Sequence, residues 1–271
     1  MLPRMGVSVS VLASGSRGNC AVVASAKTRI LVDAGISCRE TFKRMKALGD
    51  DPQKLSAILI THEHSDHIYG LATLAKKLAI PIFMTGATHS AWKRSLRDAT
   101  GEAPQLNCLE VFSSGRDFHI GDIAVTPFTI PHDAADPVGF TFRAEGTKVA
   151  FATDLGYVPQ NICHHLRGCD VLVMESNHDL EMLRGGPYPW SVKQRVMSRV
   201  GHLSNDALAD FFGSEYDGAA AYVVLAHLSE SNNHPELARS AAEKALATRQ
   251  TLLSNHVVLA SQTEPIQPIC L

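Results

Sequence analysis

His62-x-His64-x-Asp66-His67 crowds three imidazoles and a carboxylate into one short run. Side chains two apart on extended backbone face the same way, so His62 and His64 make one pair of donors. Asp66 and His67 fall where a helical pattern begins and turn toward a second point. One loop thus offers two sets of ligands, which suits two divalent cations about 3.5–4 Å apart. Imidazole and carboxylate donors favour zinc, manganese or iron over calcium. Such a pair lowers the pKa of a shared water toward neutrality, giving a metal-bridging hydroxide, and offsets charge on an attacked phosphoryl or carbonyl oxygen. The plainer reading makes Asp66 a helix cap among loop histidines. It leaves imidazoles that repel when protonated and lack partners when buried.

Four donors cannot fill two sites, and rigid strand ends are where further ligands belong. Three places qualify: His132 in Thr129-Ile130-Pro131-His132-Asp133, Asp154 in Thr153-Asp154-Leu155-Gly156, and His227 in Leu225-Ala226-His227-Leu228-Ser229. Each follows an apolar strand pattern, over 123–128, 149–153 and 221–226. A carboxylate such as Asp154 can bridge two cations.

The elements around these points are legible from periodicity. Strands are expected over 7–12, 20–24, 29–33 and 57–61, with the loop Ser14-Gly15-Ser16-Arg17-Gly18-Asn19 after the first. Ser37 caps a helix to about 48, and a single helix runs from the histidine cluster to about 79. Further strands are expected at 118–128, 138–145, 148–153 and 170–175, then helices near 159–166, 189–200, 204–213 and 235–253, and a final strand at 256–261. This pattern gives an α/β (α+β) fold in one compact domain spanning 1–271, with two sheets between helices and a loose tail over 261–271.

Composition sets bounds. Lys+Arg number 25 and Asp+Glu 27, so bulk positive charge does not hold this chain to nucleic acid or membrane. The longest apolar run, Ala219–Ala226, is too short to cross a bilayer. Six scattered cysteines without a C-x-x-C pair point to reduced thiols and a cytoplasmic protein.

Taken together, Asp33 in Leu31-Val32-Asp33-Ala34-Gly35, the His62–His67 cluster, His132, Asp154 and His227 resemble the motif order of metallo-β-lactamase-fold hydrolases. Pro131-His132-Asp133-Ala134-Ala135-Asp136, Ser176-Asn177-His178-Asp179, Gly186-Pro187-Tyr188-Pro189-Trp190 and His227-Leu228-Ser229-Glu230-Ser231-Asn232-Asn233 are similar to the YycJ/WalJ-like group within that fold. The resemblance implies an αββα four-layer sandwich and 5′→3′ exonuclease activity on DNA. By the same resemblance His62, His64 and His132 would hold one metal, Asp66, His67 and His227 the other, and Asp154 would bridge. Asp33 would orient a ligand from behind, and His178 would lie near the site.

Gly201-His202-Leu203-Ser204 resembles the helix-start histidine motif of tRNA 3′-processing ribonucleases of this fold. That makes His202, with Asp66, the expected catalytic pair, His202 protonating the departing sugar oxygen. Between Arg184 and Arg199 lie Lys193 and Arg195 with Tyr188 and Trp190 and no acidic residue, a pattern suited to single-stranded nucleic acid. Arg184, Trp190 and Lys193 are therefore candidate strand contacts. Ser16 and Asn19 of the glycine loop, with Ser229, Asn232 and Asn233, are candidates near a terminal phosphate. The expected function is a dinuclear-metal phosphodiesterase, a 5′→3′ exonuclease on single-stranded DNA. The competing readings are a thioester or lactone hydrolase, which needs neither the basic strip nor His202, and a non-catalytic metal-binding regulator. A di-iron redox role would want a flavin partner domain.

Overall fold

The computed structural model describes residues 6–96, 105–248 and 254–271. Its strands form two seven-stranded sheets. In chain order the first sheet takes β1 (Ser8–Ala13), β2 (Cys20–Ala24), β3 (Arg29–Val32), β4 (Ala57–Leu59), β5 (Ile82–Thr85) and β6 (Leu109–Phe112). The second takes β7 (Phe118–Ile120), β8 (Ile123–Thr129), β9 (Val138–Ala144), β10 (Thr147–Ala152), β11 (Val171–Glu175), β12 (Tyr222–Ala226) and β13 (His256–Leu259). A last strand, β14 (Ile269–Cys270), returns to the first sheet beside β1. The helices are α1 (Cys38–Ala47), α2 (Ser65–Ile68), α3 (Leu71–Leu78), α4 (Gly86–Ser95), α5 (Gln160–Leu166), α6 (Leu180–Gly185), α7 (Trp190–Val196), α8 (Asn205–Ser214) and α9 (Pro235–Ala247).

Side-chain alternation explains the layering. In β11, Val171 and Val173 face the opposite sheet, while Leu172 and Met174 face helices. The inter-sheet layer joins Val9, Val23, Ile30 and Val32 to Phe140, Phe142 and Val224. Met45, Leu71, Leu74 and Trp92 cover the outer face of the first sheet, and Ile162, Leu166, Leu208, Phe212 and Ala238 that of the second. Strands covered on both faces read as nearly continuous apolar runs, which is why β4 and β11 show so little polarity. The result is the expected αββα sandwich.

The two sheets repeat one topology. Each has four antiparallel strands, β14-β1-β2-β3 in one and β7-β8-β9-β10 in the other, continued by three more in parallel. Asp33-Ala34-Gly35 after β3 and Asp154-Leu155-Gly156 after β10 occupy equivalent places, with φ of 59° and 61° at the two aspartates. No sequence repeat announces this.

Two expectations are corrected. The single helix to about 79 is broken at Gly70 into α2 and α3. There the backbone N–H donates to Ala34 O at 2.7 Å, and a Cβ would lie 2.1 Å from Ile36 O. The segment 261–271 is not loose. Ser8 pairs with Cys270 and Val9 with Ile269, and Ile266 N donates to Val11 O at 3.0 Å. An uncovered β1 edge would expose its unpaired backbone groups, and Ile269 buries its side chain in doing the covering. Deleting residues 265–271 is expected to lower stability by roughly 2 kcal/mol or more. A shift of the urea midpoint measures it, and an unmoved midpoint contradicts it. Helix α9 ends at Ala247; of its expected extension, residues 249–253 lie outside the described residues. Among the described residues no helix is long and apolar enough to cross a membrane.

Candidate metal centre

Strand ends from both sheets meet at one edge. Asp33 follows β3, the histidine cluster follows β4, and His132 follows β8. Asp154 follows β10, Glu175 closes β11, and His227 follows β12. Asp33, Asp154 and His227 have φ of 59°, 61° and 56°. Left-handed backbone costs a residue with a Cβ about 1–2 kcal/mol. Among the described residues Ala79 and Glu145 are the other non-glycine cases, so the strain concentrates at this edge.

The donor atoms fall into groups. Those of His62, His64 and His132 lie within 4.8 Å of one another, and so do those of Asp66, His67, Asp154 and His227. His132 Nε2 is 3.2 Å from His64 Nδ1. Asp154 turns Oδ2 to His67 Nε2 and Oδ1 to His227 Nε2, each at 3.3 Å. His227 Nε2 is also 3.3 Å from Asp66 Oδ2. The His62 and His67 rings, 4.1 Å apart between centroids, join the two groups.

This arrangement fits divalent cations. His62 Nε2 is buried with no hydrogen-bond partner, and Asp154 Oδ2 is buried with the His67 ring near it but no aligned hydrogen bond, a costly state for polar atoms unless something else satisfies them. Burial, aided by His67, pushes the His62 imidazole well below its usual pKa, leaving a free lone pair. For Asp154 burial works toward protonation, but His227 and His67 outweigh it and keep the carboxylate ionised. Asp66 follows the same logic, burial being overcome by His67 and His227. His62 thus offers a lone pair beside ionised carboxylates. Burial works against a proton on His67 and His227, but Asp154 and the other carboxylates around them outweigh it and raise their pKa, so a cation such as zinc would take the place of those protons.

A second ring of contacts aims these donors. Asp33 Oδ2 is 2.8 Å from His67 Nδ1, and Asp33 Oδ1 accepts from Thr61 N at 2.9 Å. Thr61 Oγ1 lies 2.9 Å from His62 Nδ1. His132 Nδ1 donates to Gly201 O at 3.2 Å. Asn177 Nδ2 donates to His227 O at 2.8 Å, and Ser14 Oγ accepts from His227 N at 2.7 Å. Asp33→Asn removes the carboxylate that fixes the His67 ring, and is expected to weaken metal affinity about 10–100-fold. Competition with a chromophoric chelator reads this, and unchanged affinity contradicts it.

Glu175 escaped sequence reasoning. It is wholly buried, with Oε1 2.7 Å from His202 Nδ1 and 3.2 Å from His227 Nδ1. Its Oε2 accepts from Leu155 N at 2.9 Å and Leu203 N at 3.2 Å. Burial opposes its ionisation, yet His202, with further bonding from His227, brings its pKa down to about 2. In return, burial would depress His202, but the Glu175 charge and hydrogen bond outweigh it and raise its pKa. The available signal was a carboxylate closing the apolar run Val171-Leu172-Val173-Met174. The His202 ring stacks on His227 at 5.1 Å, and its Nδ1 is 3.8 Å from Asp154 Oδ1.

Residues 28–227 match the family described as beta-lactamase superfamily domain. Exodeoxyribonuclease YycJ of Bacillus anthracis is 40% identical over 242 residues, covering 89% of this chain and 90% of that protein. Exodeoxyribonuclease WalJ of Streptococcus pneumoniae serotype 2 is 35% identical over 246 residues, covering 91% and 90%. The chain belongs to the metallo-β-lactamase superfamily. Within it the chain joins the YycJ/WalJ group and is a metal-dependent hydrolase. Two solved structures share the fold. One is the metallo-β-lactamase fold protein YhfI from Bacillus subtilis, with TM-score 0.70 and 18% identity over 96% of this chain and 99% of that one. The other is a diphosphatase from the PhnP family, with TM-score 0.66 and 17% identity over 98% and 99%.

On this metallo-β-lactamase edge the candidate substrate contacts scatter. Asn19 belongs to the centre itself: its Nδ2 lies 3.1 Å from both Asp66 Oδ2 and His67 Nε2. Ser16 is exposed on the glycine loop. Ser229 and Asn232 are buried and bonded to each other, Asn232 N donating to Ser229 Oγ at 3.2 Å. Asn233 braces the loop after β11, its Nδ2 donating to Ser176 O at 2.9 Å and Asn177 O at 3.0 Å. Lys193 is not a free cation. It is buried, and its Nζ donates to Arg184 O at 2.7 Å, because α7 turns it back onto the end of α6. Arg184 pairs with Glu181 at 2.8 Å, Arg195 pairs with Asp133, and Arg199 lies over the Tyr157 ring. Trp190 is 62% exposed at the start of α7. His178 is buried, with Nδ1 unpartnered, and burial lowers its pKa to about 4. Its backbone bridges Ser204, which places it behind His202.

Proposed function

We propose that this protein is a dinuclear-metal exonuclease that degrades single-stranded DNA from its 5′ end in the cytoplasm. The observation that carries the reading is the Glu175–His202 pair set against the Asp154 and His227 donors. A hydrolase that cleaves a phosphodiester must protonate a poor leaving group, the sugar oxygen, and His202 is the imidazole in position to do so. The relatives named exodeoxyribonuclease support the same reaction, and the free thiols suit the cytoplasm.

His62, His64 and His132 would hold one cation, Asp66, His67 and His227 a second, with Asp154 shared. Zinc or manganese bound there, with iron also accommodated, would supply Lewis acidity toward the phosphoryl oxygens and an activated water. The remaining work belongs to the chain. Glu175 accepts from His202 Nδ1, which fixes the ring and leaves Nε2 to carry the transferable proton. Asp66, ionised and held by Asn19, keeps its charge directed at the centre. Exposed Trp190, at the start of α7, offers a ring for stacking an unpaired base.

A substrate panel tests this reading. With Mn²⁺ or Zn²⁺, 5′-phosphorylated single-stranded DNA is expected to be shortened progressively, faster than RNA or a simple phosphodiester, and a thioester left intact. Thioester turnover without phosphodiester turnover would replace the nuclease with an acyl hydrolase.

A further inference from the structure

A cavity of about 480 Å³ opens beyond the carboxyl ends of β12 and β13, walled by Leu228, Ser229, Pro235, Leu259, Ser261 and Thr263. The two strands run parallel, with α9 as their crossover, and such crevices at strand ends are where open α/β sheets take ligands. The cavity borders the strand end that carries His227. Leu228 and Ser229 directly follow His227, and Ser14, also in the wall, accepts the His227 N–H at 2.7 Å. Its frame is braced. Gln262 accepts from Arg17 N at 2.7 Å and donates to Gly18 O at 2.9 Å, tying the chain after β13 to the glycine loop.

The lining selects a chemistry. Leu228, Pro235, Leu259 and Ala260 supply apolar surface; the Ser229 hydroxyl is held by Asn232, and the Ser261 and Thr263 hydroxyls, 3.3 Å apart, bond each other at the rim, leaving a neutral polar edge. Among the described residues no lysine or arginine lines the wall; its histidine, His234, accepts from Glu236 N through Nδ1 at 3.3 Å, and its carboxylate, Glu230, is paired with Arg17. A phosphate subsite would want cations. A largely apolar wall with a few hydroxyls, at a volume ordinary for small-molecule sites, suits a flat base and its sugar.

We propose that this cavity is a nucleoside subsite that holds the terminal nucleoside of the strand, so that the adjoining phosphodiester reaches the metal edge. The inference rests on the nuclease reading and adds where the end of the strand is recognised. Such a subsite confines cleavage to the end of a strand, because an internal nucleotide entering it would drive the continuing chain into the wall.

Deoxyadenosine titrated against the full chain, followed by saturation-transfer NMR and calorimetry, tests the subsite without hydrolysis. Binding to the wild type is expected, with inorganic phosphate unable to displace it. Thr263→Trp at the exposed rim and Leu259→Trp on the wall are expected to weaken binding about tenfold or more. Thermal unfolding of each shows that it folds, and the rim variant stands alone if the wall variant does not. The KM for single-stranded DNA is expected to rise by a similar factor in both. No binding to the wild type, or binding unchanged in the folded variants, overturns the proposal. So does an unmoved KM when nucleoside binding is lost, which would make the cavity a site for free nucleosides. Binding that the variants destroy, in a wild type that hydrolyses no phosphodiester, sinks the nuclease reading and leaves the nucleoside site standing.

Discussion

Asp154→Ala is expected to abolish hydrolysis and to remove about one metal ion per chain, because Asp154 lies in the donor group of Asp66, His67 and His227 and in the proposed reading is shared with the other group. Its oxygens face His67 and His227 at 3.3 Å each, and the side chain is held ionised inside the protein. Removing it takes one of the two negative donors from a group otherwise made of Asp66 and two imidazoles, so less charge offsets the cation and a ligand is lost. Alanine also sits poorly at φ 61°, so lost activity could be blamed on the backbone. Asp154→Asn separates the two effects. Asparagine tolerates left-handed backbone and keeps the volume, yet lacks the charge. The same loss of activity and metal in a folded Asp154→Asn protein is the expected outcome, read by thermal unfolding alongside metal analysis. Full activity in that variant would remove Asp154 from the centre.

His202→Ala is expected to keep its metals and to slow cleavage on the order of 10²–10⁴-fold, the range for losing a positioned proton donor. Glu175→Gln is expected to fall in the same direction. The amide cannot sustain the charge that raises the His202 pKa, and it weakens the contact with His227 Nδ1 as well. If Glu175 acts through His202, the double variant is expected to be no slower than His202→Ala alone. Multiplied losses in the double variant would mean that Glu175 acts through His227. Loss of metal from His202→Ala would make His202 a ligand, which its place among Asp154, Glu175 and His227 makes a real alternative.

The elements that carry the centre were legible because their signals are local. An apolar strand running into His62-Glu63-His64-Ser65-Asp66-His67 is readable from sequence, and so are His132, Asp154 and His227 at the ends of patterned strands. Glu175 was harder, since a single carboxylate ending a strand looks like any turn residue until the chain brings His202 against it. The region of β5, α4 and β6 carries no strong period; β5 and β6 take their form from extending the first sheet and α4 from covering it, with Ile82, Met84 and Trp92 buried there. The break at Gly70 depends on how near the Ile36 carbonyl passes, and the docking of β14 on the edge that β1 offers. Both are tertiary facts with no local trace. Lys193 misled for the same reason, because a basic residue among aromatics reads as a strand contact until its Nζ is found on Arg184 O.

Metal content tests the central claim most directly. Protein purified without chelators, then dialysed with Zn²⁺ or Mn²⁺ and passed over a desalting column, is expected to retain about two ions per chain by plasma mass spectrometry, with each histidine group losing its share when His64 or His67 is replaced. Protein that carries no transition metal and takes up none under these conditions would contradict the account.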